Sequence, residues 1–499
     1  MMLACLLIIL GAGALAAMVA ARWRPAACRS IALAAVLADL GIMLGIWVRG
    51  GGTRAVDLAW IGQFGIHFRL EIDGLSLLLL LLTFLLGAIA VLASWREITR
   101  SVGFFHCNLL LTLAGIAGVF LARDLFLFYF AWELMLVPTY FLIAVWGQQK
   151  RGPAAVKYFL FTQIGGLLML VAILSLYFIH HRETGVYTFS YPELLGTALA
   201  PATEMWIMLG FFIGFAVKLP ALGLHSWLPD AQMEAPTAAN LTGLMLEVGA
   251  YGMLRFLLPL FPRAARSFAP VAMAVGVAGI LYGAMLAFSQ NDFKRLLAYG
   301  SVSHLGFVLL GIFVKNNLAL QGALVLMIAQ GLSVGGLFVV AGVLRERIET
   351  SDLARMGGLW TTVPRLSGSG LLFALALLGL PGLGDFVGEF LVLLGTWQRS
   401  IPAAVFAALG GIAAAIYALR LVQAAFHGPN EYNWRFADLV PREGLAVGAM
   451  VAILLWLGLY PQPVIATFQP VARALQNMQT AALSGLQAKP PVPPRFARR

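Results

Sequence analysis

Charge is scarce in this 499-residue chain: Asp, Glu, Lys and Arg make up 11% of it, against 61% hydrophobic residues. A soluble domain carries about 25% charge, so an assembly of soluble domains is excluded. Cysteine is nearly absent. Cys5, Cys28 and Cys107 stand far apart with no CxxC or CxxCH, which argues against an iron–sulfur cluster, covalent haem or a disulfide framework on this chain. The histidines give no metal-ligand spacing; the neighbours His180 and His181 have no further ligands near them in the sequence. No segment alternates with period two at the spacing of an outer-membrane barrel. The run GLPGLGDFVG, Gly379 to Gly388, is not GxGxxG and follows no strand, so it is not a nucleotide loop.

What is present is a succession of apolar runs from end to end. Fourteen are expected to cross a bilayer, which makes the fold class an all-α polytopic membrane protein. The formal net charge of +11 then reads as Lys and Arg gathered in cytoplasmic loops rather than as a nucleic-acid surface, and it favours both termini outside. The first run, MMLACLLIILGAGALAAMVA, has no basic residues before it and is read as a retained span rather than a signal peptide. The tail ending KPPVPPRFARR reads as disordered or draped on a neighbour.

Two runs are interrupted. In FAVKLPALGLHSWLPDA, Lys218 and two prolines stand where lipid is expected. A charge at the bilayer centre costs roughly 2.5–3.5 kcal/mol on insertion scales, and Pro220 removes a helix donor that lipid cannot replace. The second, LALLGLPGLGDFVGEFLVLLG, breaks at Pro381–Gly384 and carries Asp385 and Glu389. These are the seventh and twelfth spans. Paired interrupted helices five spans apart are the mark of two inverted repeats. The expected division is 1–100 for spans one to three, 101–262 for a first five-helix repeat, 263–430 for a second, and 431–499 for the last span and the basic, proline-rich tail.

The ionisable groups follow the same order. Glu133, Lys218 and Glu247 fall on the second, fourth and fifth spans of the first repeat; His304, Glu389 and Arg420 hold the same places in the second. Intramembrane ionisable residues mark substrate or proton pathways, and the alternative for each is a structural group satisfied inside the bundle. Carboxylate, lysine and histidine change charge when a partner moves nearer or away, which suits proton transfer. Gln290, Asn291 and Asp292 precede Lys294 and Arg295 at an inner helix start and are read as caps and anchors. Arg420, near a span end, is read as snorkelling.

The stretches AWELMLVPTYFLIAVWG, FAVKLPALGLHSWLPDAQMEAPTAAN, NDFKRLLAYGSVSHLGFVLLGIF and GLPGLGDFVGEF together resemble the NuoM family, the chain 4 antiporter-like subunits of proton-pumping NADH:quinone oxidoreductase (respiratory complex I). The resemblance covers roughly residues 70 to 430. It implies a multi-pass bacterial inner-membrane subunit of fourteen helices that couples electron transfer from NADH to quinone to proton transport. Its partners would be the other membrane subunits of the complex, above all neighbouring antiporter-like chains. It implies no cofactor on this chain, with NADH, FMN, iron–sulfur clusters and quinone held by partner subunits. It pairs Glu133 with Lys218, ends the proton path at Glu389 and places His304 on a central relay. Two departures stand out. Where the family carries a lysine in the eighth span this chain has Glu247, after a segment two residues shorter, and Gln330 replaces a second relay histidine. A Mrp-like cation/proton antiporter subunit, a membrane-bound hydrogenase subunit, and a subunit that has lost pumping are the alternative readings.

Overall fold

The computed structural model describes residues 2–243 and 245–483, and these are mostly helical. Eleven described helices are long and apolar enough to cross a membrane: Met2–Ala20, Ala26–Val48, Gly74–Glu97, Val102–Leu121, Leu125–Trp146, Arg151–Thr184, Pro262–Phe288, Phe293–Phe313, Asn317–Ile348, Ile401–Ala425 and Pro441–Leu459. The remaining crossings are interrupted. Span seven is Pro201–Lys218 and Trp227–Glu234, and span twelve is Pro364–Leu377 and Gly384–Trp397. Both breaks fall where the prolines stand, and glycines in the left-handed region turn the chain there: Gly223 (φ 91°) in the first, Gly379 (76°) and Gly382 (99°) in the second.

Both expected discontinuous helices are thus present, and span eight carries a further break that was not expected. Thr237–Leu241 stops short, Glu247–Gly252 resumes, and a π-turn over Met253–Leu257 leads into Leu258–Leu260. Thr242 and Gly243 are poor helix formers, and the Thr139 hydroxyl lies 3.4 Å from the Gly243 carbonyl in bonding geometry. Glu247 therefore opens a helix instead of sitting in the middle of one. Gly249 packs directly on the backbone of span seven: a Cβ there would lie 2.5 Å from the Phe215 carbonyl oxygen and 2.7 Å from the Leu219 nitrogen. Only glycine permits that approach.

The breaks differ in what they face. Pro220 is buried, although Gly223 and Ser226 beyond it are exposed. The turn of span twelve reaches the molecular surface, with Leu380 40% exposed and Pro381 exposed. The first break thus turns inward at Pro220, whereas the second lies at the surface of the chain.

Two elements outside the spans were not anticipated. The strands Arg54–Ile61 and Ile66–Ile72 form an antiparallel hairpin, and Gln462–Leu483 is a further helix after the last span. The hairpin is tied down by an ionic hub. Arg123 pairs with Glu71 at 2.9 Å and Asp73 at 3.0 Å, and Arg255 pairs with Asp73 at 2.5 Å. Asp73 also caps the third span by accepting from the Ser76 amide. Burial opposes its charge, yet the flanking Arg255 and Arg123 hold its carboxyl below the usual range. The tail KPPVPPRFARR lies outside the described residues.

Candidate functional site

The ionisable residues of the spans collect in two regions. The first joins spans five, six and seven. Lys218, the last residue of the first half of span seven, is buried. Its ammonium lies 5.4 Å from the centroid of the Tyr158 ring, a cation–π contact that partly replaces lost hydration. Glu133 stands on Leu125–Trp146, half-buried, with one carboxylate oxygen against Gly166 of span six, where a Cβ would sit 2.8 Å away. Tyr129 and Gln163 are its polar neighbours, and Tyr158 lies within its field. Among the described residues no ion pair within 4.0 Å joins Glu133 to Lys218; Tyr158 is the side chain common to both.

The second region joins spans ten to thirteen. His304 is fully buried, and both its ring nitrogens are engaged: Nδ1 lies 2.7 Å from Glu389 Oε1, and Nε2 lies 3.0 Å from the Tyr417 hydroxyl. Asp385, one helical turn before Glu389, accepts from the Ser333 hydroxyl at 2.8 Å and leaves its second oxygen without a partner. Asp385 lies within the field of both His304 and Glu389. Two carboxyl groups and an imidazole thus stand together beside the break of span twelve, an arrangement that can hold and pass protons.

Between the two regions lies Glu247. Its carboxylate rests against span eleven, 3.5 Å from where a Gly331 Cβ would stand. It borders a cavity of about 40 Å³ that Gln232, Asn240, Ser301 and Gln330 also line. Gln330 donates to the Ser301 carbonyl at 3.4 Å. Ser301 stands one turn before His304 and Gln330 one turn before Ser333, so the cavity leads by helix spacing to the His304 cluster. Glu247 makes no ion pair with Lys218 among the described residues, although Gly249 rests on the backbone beside that lysine.

Sequence reasoning named Glu133, Lys218, Glu247, His304 and Glu389, and the structure joins His304 to Glu389 directly. It missed Tyr417, Ser333, Gln232 and Asn240, neutral residues whose pattern in sequence is that of any buried helix face. Asp39 was also missed. It is fully buried in Pro25–Val48, with both carboxylate oxygens unpartnered, and the signal for it was plain: a lone carboxylate in an apolar span. The caps behave as expected, since Asp292 accepts from the Arg295 amide at 2.9 Å and Arg420 donates to Asn291.

Residues 122–416 match the family described as NADH:quinone oxidoreductase/Mrp antiporter, TM. NADH-quinone oxidoreductase subunit M of Pseudomonas aeruginosa is 48% identical over 481 residues, covering 92% of this chain and 94% of that one. The Escherichia coli K12 subunit M is 49% identical over 460 residues, covering 88% and 90%. The chain belongs to the NADH-quinone oxidoreductase subunit M family. In structure it superposes on a chain of respiratory complex I from Thermus thermophilus with a TM-score of 0.88 at 31% identity, covering 96% of this chain and 99% of that one. The Mrp complex from Dietzia gives a TM-score of 0.81 at 24% identity, over 95% of this chain and 52% of that one, a likeness of fold. Glu133, Lys218, Glu247, His304 and Glu389 lie inside residues 122–416, and Tyr417 lies just beyond them.

Proposed function

We propose that this chain is the antiporter-like membrane subunit M of a proton-translocating NADH:quinone oxidoreductase in a bacterial inner membrane. It moves protons while electrons pass from NADH to quinone on partner subunits. The redox groups, NADH, FMN, iron–sulfur clusters and quinone, belong to those partners. The residues that carry protons are Glu133 and Lys218 in the first repeat, Glu247 at the junction, and His304 with Glu389 in the second.

One observation carries this reading: the buried contact of His304 with Glu389 and Tyr417, continued by Asp385 and Ser333 toward the Glu247 cavity. Such a run of ionisable groups costs stability in a membrane interior, and transport gives it a use. The reading also divides the chain into 101–262 and 263–430, two inverted five-helix repeats, with 1–100 before them and 431–499 after. The matching breaks of spans seven and twelve support that division. The test is purification of the chain with its partners. Co-purification with redox subunits and NADH-driven proton uptake in proteoliposomes supports the proposal. Co-purification with ion-antiporter subunits alone, without NADH oxidation, replaces it with the Mrp-type alternative. A complex that oxidises NADH with parental proton yield when every named residue is neutralised marks a subunit that has lost pumping.

A further inference from the structure

The cavity at the break of span eight has apolar walls from Leu86, Leu241, Val334 and Phe338, and among them stand three side-chain oxygens that lack a protein partner. Gln232, Asn240 and Gln330 are 2%, 6% and 3% exposed. Each lines the cavity, and each has a side-chain carbonyl oxygen, Oε1, Oδ1 and Oε1 respectively, with no hydrogen-bond partner. Two of these amides are held in place by their nitrogens. Asn240 donates to the Gln232 and Ala235 carbonyls at 3.1 and 3.4 Å, and Gln330 donates to the Ser301 carbonyl at 3.4 Å. Their orientation follows from those bonds, which leave the oxygens free. Glu247, 6% exposed, adds a carboxylate on the same wall, and no Lys, Arg or His among the described residues pairs with it.

Buried amide oxygens left unpaired destabilise a folded chain. Three of them beside one carboxylate make a donor set for a hard cation, which takes oxygen ligands in preference to nitrogen or sulfur. The charge count selects valence. One carboxylate balances one positive charge, whereas a divalent ion would leave net charge in a low-dielectric interior. Size agrees, since about 40 Å³ holds an ion with about two waters at 10–15 Å³ each. Interrupted membrane helices supply such sites because unwound backbone does not close over the ligands.

We propose that Glu247, Gln232, Asn240 and Gln330 form a binding site for a small monovalent cation, Na⁺, at the junction of the two halves of the chain. The site deepens the transport reading but does not depend on proton pumping, since it is a statement about equilibrium binding. A substitution that replaces the carboxylate with a tethered ammonium, Glu247→Lys, would satisfy the same oxygens from within and displace the ion.

The test is ²²Na⁺ binding by scintillation proximity to the purified complex, without NADH, at constant ionic strength made up with choline chloride. The parental complex is expected to bind one Na⁺ per complex more than either Glu247→Gln or Glu247→Lys. Gln330→Met, which keeps the charge and removes one oxygen, is expected to weaken that binding about tenfold. Native gels confirm that each variant assembles. Equal Na⁺ stoichiometry in the parental and both Glu247 variants overturns the proposal, and so does loss in Glu247→Gln with full binding retained in Glu247→Lys. Proton uptake measured on the same preparations reports separately on the transport reading.

Discussion

Replacing Glu389 with Gln changes almost nothing in shape and removes one charge. In the parental chain, Glu389 Oε1 lies 2.7 Å from His304 Nδ1, and Tyr417 lies 3.0 Å from Nε2. The Gln carbonyl oxygen can still accept from Nδ1–H, so packing and assembly should survive. What is lost is the charged partner of the imidazolium. A hydrogen bond to a charged group contributes about 1.5–3 kcal/mol and a neutral one about 0.5–1.5. The contact between the two side chains therefore weakens by about 1 kcal/mol, or about 5-fold in its population at tenfold per 1.4 kcal/mol. The amide also cannot take the proton onward, so proton flux should fall by at least that factor. Dye-quench measurements of NADH-driven acidification in inverted vesicles would read the flux, with native gels confirming assembly. Glu389→Asp keeps the charge one methylene away and should retain part of the flux. Glu389→Gln with parental rate and proton yield would refute the reasoning.

The other expectations concern neighbouring groups. Glu133→Gln should suppress proton uptake and coupled NADH oxidation together while the complex still assembles; parental uptake in inverted vesicles would remove Glu133 from the path. Asp73→Asn leaves the buried Arg255 without a charged partner and should cost about 3–5 kcal/mol, read as a lower thermal midpoint of the purified complex. Because Arg255 and Arg123 depress the folded pKa of Asp73, its contribution is complete above about pH 4 and fades as pH falls through the depressed value. The loss in Asp73→Asn should therefore be full at neutral pH; an unchanged midpoint there contradicts the hub. Asp39→Leu removes a buried carboxylate with two unpartnered oxygens, each worth about 1–3 kcal/mol when unsatisfied, so the thermal midpoint should rise. A lower midpoint would show that Asp39 has a partner in the assembled complex.

Much of the site was legible because membranes make charge conspicuous. Glu133, Lys218, His304 and Glu389 each interrupt an apolar run, and such groups seldom persist there without a task. The breaks of spans seven and twelve were legible through Pro220 and Pro381–Gly384. The third break was not. Residues 235–258 read as one continuous apolar run, neither Thr242 nor Gly243 alone ends a helix, and the contact of Gly243 with Thr139 on another span leaves no mark in that run. The hairpin and the helix Gln462–Leu483 escaped because neither is a long apolar run, the signal by which the spans were legible. Gln232, Asn240, Ser333 and Tyr417 escaped for a different reason. Their meaning lies in what faces them across four different spans, and no spacing along one span records that.

Lys218 offers the most direct test of proton transport by this chain. It is buried and has no carboxylate within ion-pair distance among the described residues, so its charge is not explained by a structural salt bridge. Lys218→Met removes an ammonium that lies against the Tyr158 ring and is in no ion pair among the described residues, and folding should tolerate it. The measurement is the number of protons moved per electron pair by the purified complex in proteoliposomes. The account predicts a lower ratio for Lys218→Met at normal assembly. The parental ratio in that variant would contradict it.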